Sequence, residues 1–193
     1  MPDKFPDKSL DTLPGTLLDK VLQIHANLQR QGATLAVAES LTGGELCAAL
    51  TGPAGASQVI RGGLVVYATD LKSVLAGVDA QLLSTVGAVD PAVAAQLAVG
   101  ARDRLQATFG VGLTGVAGPD EQDGRPVGEV HCAVAGPGSL ATDQATLATA
   151  TLGDPVEVLA AGQRPATARL TREDVRHAAV QAAVDLVLSV VRE

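Results

Sequence analysis

A chain of 193 residues can bury the core of one domain, and with 47% hydrophobic but only 2% aromatic residues that core must be built from Val, Leu and Ala. A formal net charge of −7 and the lack of aromatic stacking platforms argue against direct nucleic acid binding, which depends on Lys, Arg and base stacking. Two cysteines, Cys47 and Cys132, cannot supply a disulfide framework, and no C-x-x-C or H-E-x-x-H spacing offers a metal site, so none is expected.

In chain order, residues 1–15 alternate Pro, Asp and Lys and read as a flexible tail without the apolar core of a signal peptide. Residues 16–193 read as one domain. No apolar run is long enough to span a bilayer, and the expectation is a soluble, reduced, cytoplasmic protein. Leu17, Val21, Leu22, His25 and Leu28 recur at helical spacing over 16–30, with Gly32 as a C-terminal cap. A buried strand is predicted at 34–38, a helix at 41–50, a loop at Gly52, Pro53 and Gly55, and a second strand at 62–68. Short helices follow near 70–76 and 79–84. Asp90 caps a further helix with Pro91 at its first position.

A strand at 109–115 runs into the turn-rich "GPDEQDGRP" of 118–126, and 127–135 reads as a strand buried on both sides. The Ala/Thr/Gly/Pro-rich stretch 136–168 has room for one or two strands and a loop. Thr171 caps the last helix, whose apolar stripe is read as Val175, Ala179, Ala182, Leu186 and Val190. Strands alternating with helices predict an α/β domain with helices on both faces of the sheet.

The chemistry-bearing residues gather where predicted strands end. Ser40 follows a strand and precedes a helix, in "AVAESLTGGEL", and such strand ends are where ligands collect in α/β folds. It has two readings, a helix cap (shared with Thr42) or a nucleophile served by free N–H groups, with Gly43 and Gly44 allowing close approach of a ligand. Glu39 is equally divided between a substrate contact and a helix-end cap. His25, His131 and His177 all fall inside elements, and none sits in a strand-end loop, which disfavours a Ser-His pair. Lys72, just past the second strand, is the base that a serine could use if burial lowered its pKa; its ordinary role would be a solvated charge. Tyr67 ends the same strand. Thr114 and Gly115 open a glycine-bearing loop suited to an anion, and Arg172 and Arg176, four apart, either clamp a phosphate or pair with surface acids.

Taken together, "AESLTGG", "GPAGAS", "GGLVVYATDLK", "LAGV", "GAVDPAVA", "LTGVAGPDEQDGRPVG" and "TREDVRHAA", in this order, resemble the CinA carboxy-terminal domain, the PncC type of nicotinamide mononucleotide amidohydrolase in its stand-alone form. The resemblance implies a three-layer α/β/α sandwich with a mostly parallel, mixed sheet. It also implies deamidation of the nicotinamide carboxamide in pyridine nucleotide salvage, without metal or cofactor, and self-association into a homo-oligomer. It places the nucleophile on Ser40, the base on Lys72 and a supporting tyrosine on Tyr67. Substrate contacts fall on Glu39, Thr42, Gly43, Gly44, Thr114, Gly115, Arg172 and Arg176.

The chain departs from the family pattern at Leu41, where a Cys is usual, in "YATDLK", in the loop "GPDEQDGRP", and in "LTRED" before the arginines. A nucleotide-binding or regulatory module without turnover, in competence or damage responses, is the rival expectation.

Overall fold

A computed structural model describes residues 15–137, 147–152 and 171–191. Its elements are α1 (Gly15–Gln31), β1 (Leu35–Glu39), α2 (Glu45–Thr51), β2 (Ile60–Val65), α3 (Thr69–Ala76), α4 (Ala80–Val86), α5 (Pro91–Arg104), β3 (Phe109–Gly115), β4 (Val130–Ala135), β5 (Leu147–Leu152) and α6 (Arg172–Val190). A single 3-10 turn lies at Ala56–Gln58. The predicted tail at 1–15, apart from Gly15, and most of the stretch 136–168 lie outside the described residues.

The strands form one mixed sheet in the order β2-β1-β3-β4-β5. β2, β1 and β3 pair in parallel, whereas β4 is antiparallel to both its neighbours, so one strand runs against the other four. Helices cover both faces, giving the α/β/α layering expected.

The two faces are packed differently because side chains alternate along a strand. One face carries Leu35 and Val37 of β1, Phe109, Val111 and Leu113 of β3, and Val130, Cys132 and Val134 of β4, all buried against α1, α2 and α6. The other carries Ala36 and Ala38 of β1 and Ala133 and Ala135 of β4, which pack against α5 and, for β1, the α3–α4 region. On β3 that face is glycine. A Cβ on Gly110 or Gly112 would lie 2.0 Å from the Ala98 carbonyl or 2.1 Å from the Ala94 carbonyl, so α5 rests backbone-to-backbone on the central strand.

The predicted caps form as chemistry demands. Asp90 accepts from the Ala92 N–H at 2.8 Å, and Thr171 with Asp174 makes a full capping box on α6. Several boundaries and phases differ. α2 begins at Glu45 rather than at 41, because Gly43 and Gly44 turn with φ of 63° and 101° before the helix starts. β2 starts at Ile60 and ends at Val65, earlier than predicted. On α1, Leu22 is exposed and Ile24 takes its place in the core. On α6 the buried residues are Val175, Ala178, Ala179, Val180, Ala183, Val184, Val187 and Leu188; Ala182, Leu186 and Val190 are only half-buried, since the stripe widens to meet α1 and β4 together. Among the described residues, no helix is long and apolar enough to cross a membrane.

Candidate active site

At the carboxyl ends of β1 and β3 a cavity of about 500 Å³ opens. Its floor and walls include Ser40, Leu41, Thr114, Gly115, Ala88 and Val89, and its rim includes Tyr67, Asp120, Glu121 and Arg172.

Glu39 and Ser40 are neighbours in sequence and opposite in function because the strand alternates. Glu39 points with Val37 toward α2. Its Oε2 accepts from the N–H groups of Gly44 and Leu46 at 3.1 and 3.0 Å, and its Oε1 accepts from Cys47 at 2.8 Å. The helix cap expected of Ser40 or Thr42 is therefore supplied by Glu39, while the residue at the N-cap position itself, Gly44, has no side chain to offer one. Glu39 is fully buried, does not line the cavity, and caps α2.

Ser40 continues the sheet. Its N–H donates to the Leu113 carbonyl at 3.0 Å, which extends the β1–β3 register to place Ser40 opposite Thr114. Its side chain falls on the α5 face and lines the cavity while only 7% exposed. Thr114 is likewise buried, and its hydroxyl donates to the Ala88 carbonyl at 2.7 Å, tying the end of β3 to the α4–α5 connection.

On the other flank the Val66 N–H donates to the Glu39 carbonyl at 2.8 Å, which places Val66 opposite Ser40. In a parallel ladder the N–H and C=O of one residue point to the same neighbour, so the Val66 carbonyl is directed toward the chain just after Ser40. The side chain of Lys72 occupies that position. Its Nζ donates to the Val66 carbonyl at 3.0 Å and to the Tyr67 carbonyl at 3.2 Å, not to Ser40, and the residue is 1% exposed. Lys72 is thus buried rather than solvated. Burial pulls its pKa down from 10.5 to about 8, against the opposing pull of the Asp70 carboxylate.

Tyr67 serves twice. Its carbonyl holds Lys72, and its exposed phenol accepts from Arg172 Nη2 at 2.9 Å. Arg172 Nη1 donates to the Gly118 carbonyl at 2.7 Å, so this arginine bridges the β2–α3 and β3–β4 loops across the cavity rim. Arg176 lies elsewhere. It donates to the Thr42 carbonyl at 2.8 Å and pairs with Glu45 at 3.3 Å, bracing the turn behind Ser40.

Thr42, Gly43, Gly44 and Arg176 do not line the cavity. The N–H groups of Gly43 and Gly44 are taken by the Ser40 carbonyl and by Glu39, so they are not free to meet a substrate anion. The structure places these four in or against the turn that presents Ser40. Among the described residues the buried Thr42 hydroxyl has no hydrogen-bond partner.

None of the three histidines lines the cavity: His25 bonds the Leu50 carbonyl at 2.9 Å, His131 meets Glu129 at 2.9 Å, and His177 pairs with Glu45 at 3.0 Å. Among the described residues no group of three or more His, Cys, Asp or Glu is placed to hold a metal ion.

Sequence reasoning passed over Ala88 and Val89, which wall the cavity, and the carboxylates Asp120 and Glu121 at its rim. The segment "GAVDPAVA" was the available signal for the first pair.

The chain matches the family model described as the CinA C-terminal domain over residues 19–152. A "CinA-like protein" of Acidobacterium capsulatum is 39% identical over 182 residues, covering 94% of this chain and 38% of that protein. A "CinA-like protein" of Frankia casuarinae is 48% identical over 132 residues, covering 68% and 29%. The chain therefore spans about a third of the length of these curated relatives. Among solved structures, the competence/damage inducible protein CihA from Agrobacterium tumefaciens superposes with a TM-score of 0.78 at 31% identity, covering 93% of this chain and 98% of that one. Fold, motif order and these likenesses agree: the chain belongs to the CinA C-terminal domain family.

Proposed function

We propose that this CinA-family protein is an amidohydrolase that uses Ser40 as nucleophile and Lys72 as base to deamidate the ring carboxamide of a nicotinamide nucleotide. The first substrate to consider is nicotinamide mononucleotide, with nicotinate mononucleotide and ammonia as products, a step of pyridine nucleotide salvage. The single observation that carries the reading is the buried Lys72 amine on the Val66 carbonyl, in the sheet position opposite cavity-lining Ser40. A lysine held out of water is a costly feature unless its neutral form is used.

In the reaction the neutral Lys72 amine takes the proton of Ser40, whose oxygen attacks the carboxamide carbon. The Leu41 N–H follows the nucleophile directly, and Leu41 lines the cavity. Among the described residues this N–H has no backbone acceptor, and it is the donor assigned to the oxyanion. As the tetrahedral intermediate collapses, protonated Lys72 returns its proton to the departing ammonia. Water then attacks the acyl-serine, giving its proton to Lys72, and Ser40 leaves with that proton as the carboxylic acid product forms. Thr114 and Gly115 support the ring side of the cavity, and Tyr67 with Arg172 frames the ribose side.

A coupled ammonia assay over a panel of pyridine mononucleotides tests the reading, with time-dependent release abolished in Ser40→Ala as the expected result. Saturable nucleotide binding with no ammonia would instead support a regulatory, non-catalytic module.

A further inference from the structure

The loop joining β3 to β4 brings Gln122 to the cavity, and then the chain doubles back. Gln122 and Arg125 pair backbone to backbone in both directions, at 3.1 and 2.8 Å, around a two-residue turn in which Asp123 and Gly124 take φ of 52° and 73°. The place of Gln122 is thus set by the place of Arg125. The tip of the turn also rests on the α4–α5 connection, since a Cβ on Gly87 would lie 3.1 Å from Asp123 Oδ2.

Arg125 itself does not line the cavity. Its guanidinium is shared by two acids from two other segments. Nη2 donates to Asp90 Oδ2 at 3.3 Å, and Nη1 donates to Glu129 Oε1 at 3.2 Å. Asp90 directly follows the wall residues Ala88 and Val89, and its other oxygen caps α5 through the Ala92 N–H. Glu129 leads into β4, and the oxygen that meets Arg125 also meets His131 Nε2 at 2.9 Å. The Asp90 and Glu129 side chains are only 19% and 16% exposed, so these pairs are screened less than ordinary surface pairs. One guanidinium therefore joins the loop, the start of α5 and the foot of β4.

We infer that Arg125 is a positioning residue for the site. It latches the β3–β4 loop to the N-cap of α5, and so holds the rim at Gln122 and the wall at Ala88 and Val89 in the arrangement that receives the substrate. This rests on the amidohydrolase reading for its effect on the reaction. Arg125 touches no reacting group, and Ser40 and Lys72 are placed by β1 and the β2–α3 connection instead. Loss of the latch therefore weakens binding and leaves the chemical step nearly untouched.

Two substitutions separate a latch from a field effect. Asn caps a helix as well as Asp does, so Asp90→Asn keeps the start of α5 and removes only the negative partner. Arg125→Gln removes the positive one. On an anionic nucleotide a field effect would move KM in opposite directions in the two variants. Loss of a shared latch raises KM in both.

The experiment measures kcat and KM for ammonia release from nicotinamide mononucleotide, its calorimetric Kd, and amide hydrogen exchange in the loop. The wild type is compared with Asp90→Asn, Arg125→Gln, their double variant and Arg125→Lys, and thermal melts check that all are folded. The expected result is a KM raised in both single variants, about fivefold in Arg125→Gln, with kcat held within about twofold. The double variant should match Arg125→Gln alone, because both changes break one contact. Arg125→Lys should recover part of the loss, since an ammonium lacks the fork that spans two acids. The Arg125 amide, which donates to the Gln122 carbonyl, should exchange faster in both single variants. KM moving in opposite directions, effects that multiply in the double variant, or unchanged loop exchange overturns the inference and leaves the amidohydrolase reading intact. A wild type that binds the nucleotide but releases no ammonia overturns that reading alone, and the same pattern in Kd upholds the latch. Failure of the wild type to bind the nucleotide overturns both.

Discussion

The two faces of the sheet are built on opposite plans. The face toward α1, α2 and α6 is filled by Leu, Val and Ile, and Glu39, a buried acid there, spends both oxygens on backbone donors. The face toward α5 is Ala and Gly, so a helix settles on β3 at backbone contact while the strand ends beyond it stay open as the cavity. Large side chains close the first face. Small ones leave room on the second for Ser40 and Thr114, with Lys72 held alongside. The lesson is that adjacent residues at one strand end can be wholly structural and wholly available, with only alternation separating them.

The comparison can be broken from either side. Removing the hydroxyl on the open face has the largest effect expected: Ser40→Ala should cut ammonia release by about a thousandfold or more, with the melting temperature little changed. Filling the glycine floor comes next. Gly112→Ala should destabilise the protein by about 3 kcal/mol in denaturant titration, since its new methyl meets the Ala94 carbonyl at 2.1 Å. On the closed face, Glu39→Gln should cost about 2 kcal/mol in the same titration, because a neutral amide cannot accept from all three N–H groups. An unchanged midpoint would contradict the capping role of Glu39.

The last effect is linkage through Lys72, read as a slope with pH rather than as a loss at one pH. Its folded pKa is lowered from 10.5 to about 8, so between those values the unfolded chain holds more protons and stability should rise with pH. Below about 8 both states are protonated and the cost of burying the ammonium is fully present. Lys72→Met should flatten that rise in melts taken across the window.

Much of this was legible in the sequence where a single residue carries its own local chemistry. Asp90 before Pro91, and Thr171 three residues before Asp174, specify helix starts wherever they occur. Ser40, Lys72, Thr114 and Arg172 were legible as strand-end polar groups and through the family's motif order. Other features depend on tertiary placement. Whether Glu39 caps or binds is decided by which face of β1 meets α2, and α2 starts late because two glycines take positive φ. Leu22 and Ile24 exchange roles because the direction in which α1 faces the sheet is set by α2 and α6. Ala88 and Val89 have no chemical signature of their own and become cavity wall only when α4 and α5 meet the end of β3. Arg176, four residues from Arg172, lies one helical turn along and reaches a different loop.

The central claim is that a lysine kept out of water, on the carbonyl of Val66 opposite Ser40, serves that serine. Its most direct test is ammonia release by wild type and Lys72→Ala at saturating mononucleotide, from about pH 6 to about pH 10. The expected result is a wild-type rate that climbs with pH and levels above about 8, as the amine loses its proton. The variant should still bind the nucleotide but release no ammonia at any pH. Ammonia release by the variant at the wild-type rate would contradict the claim.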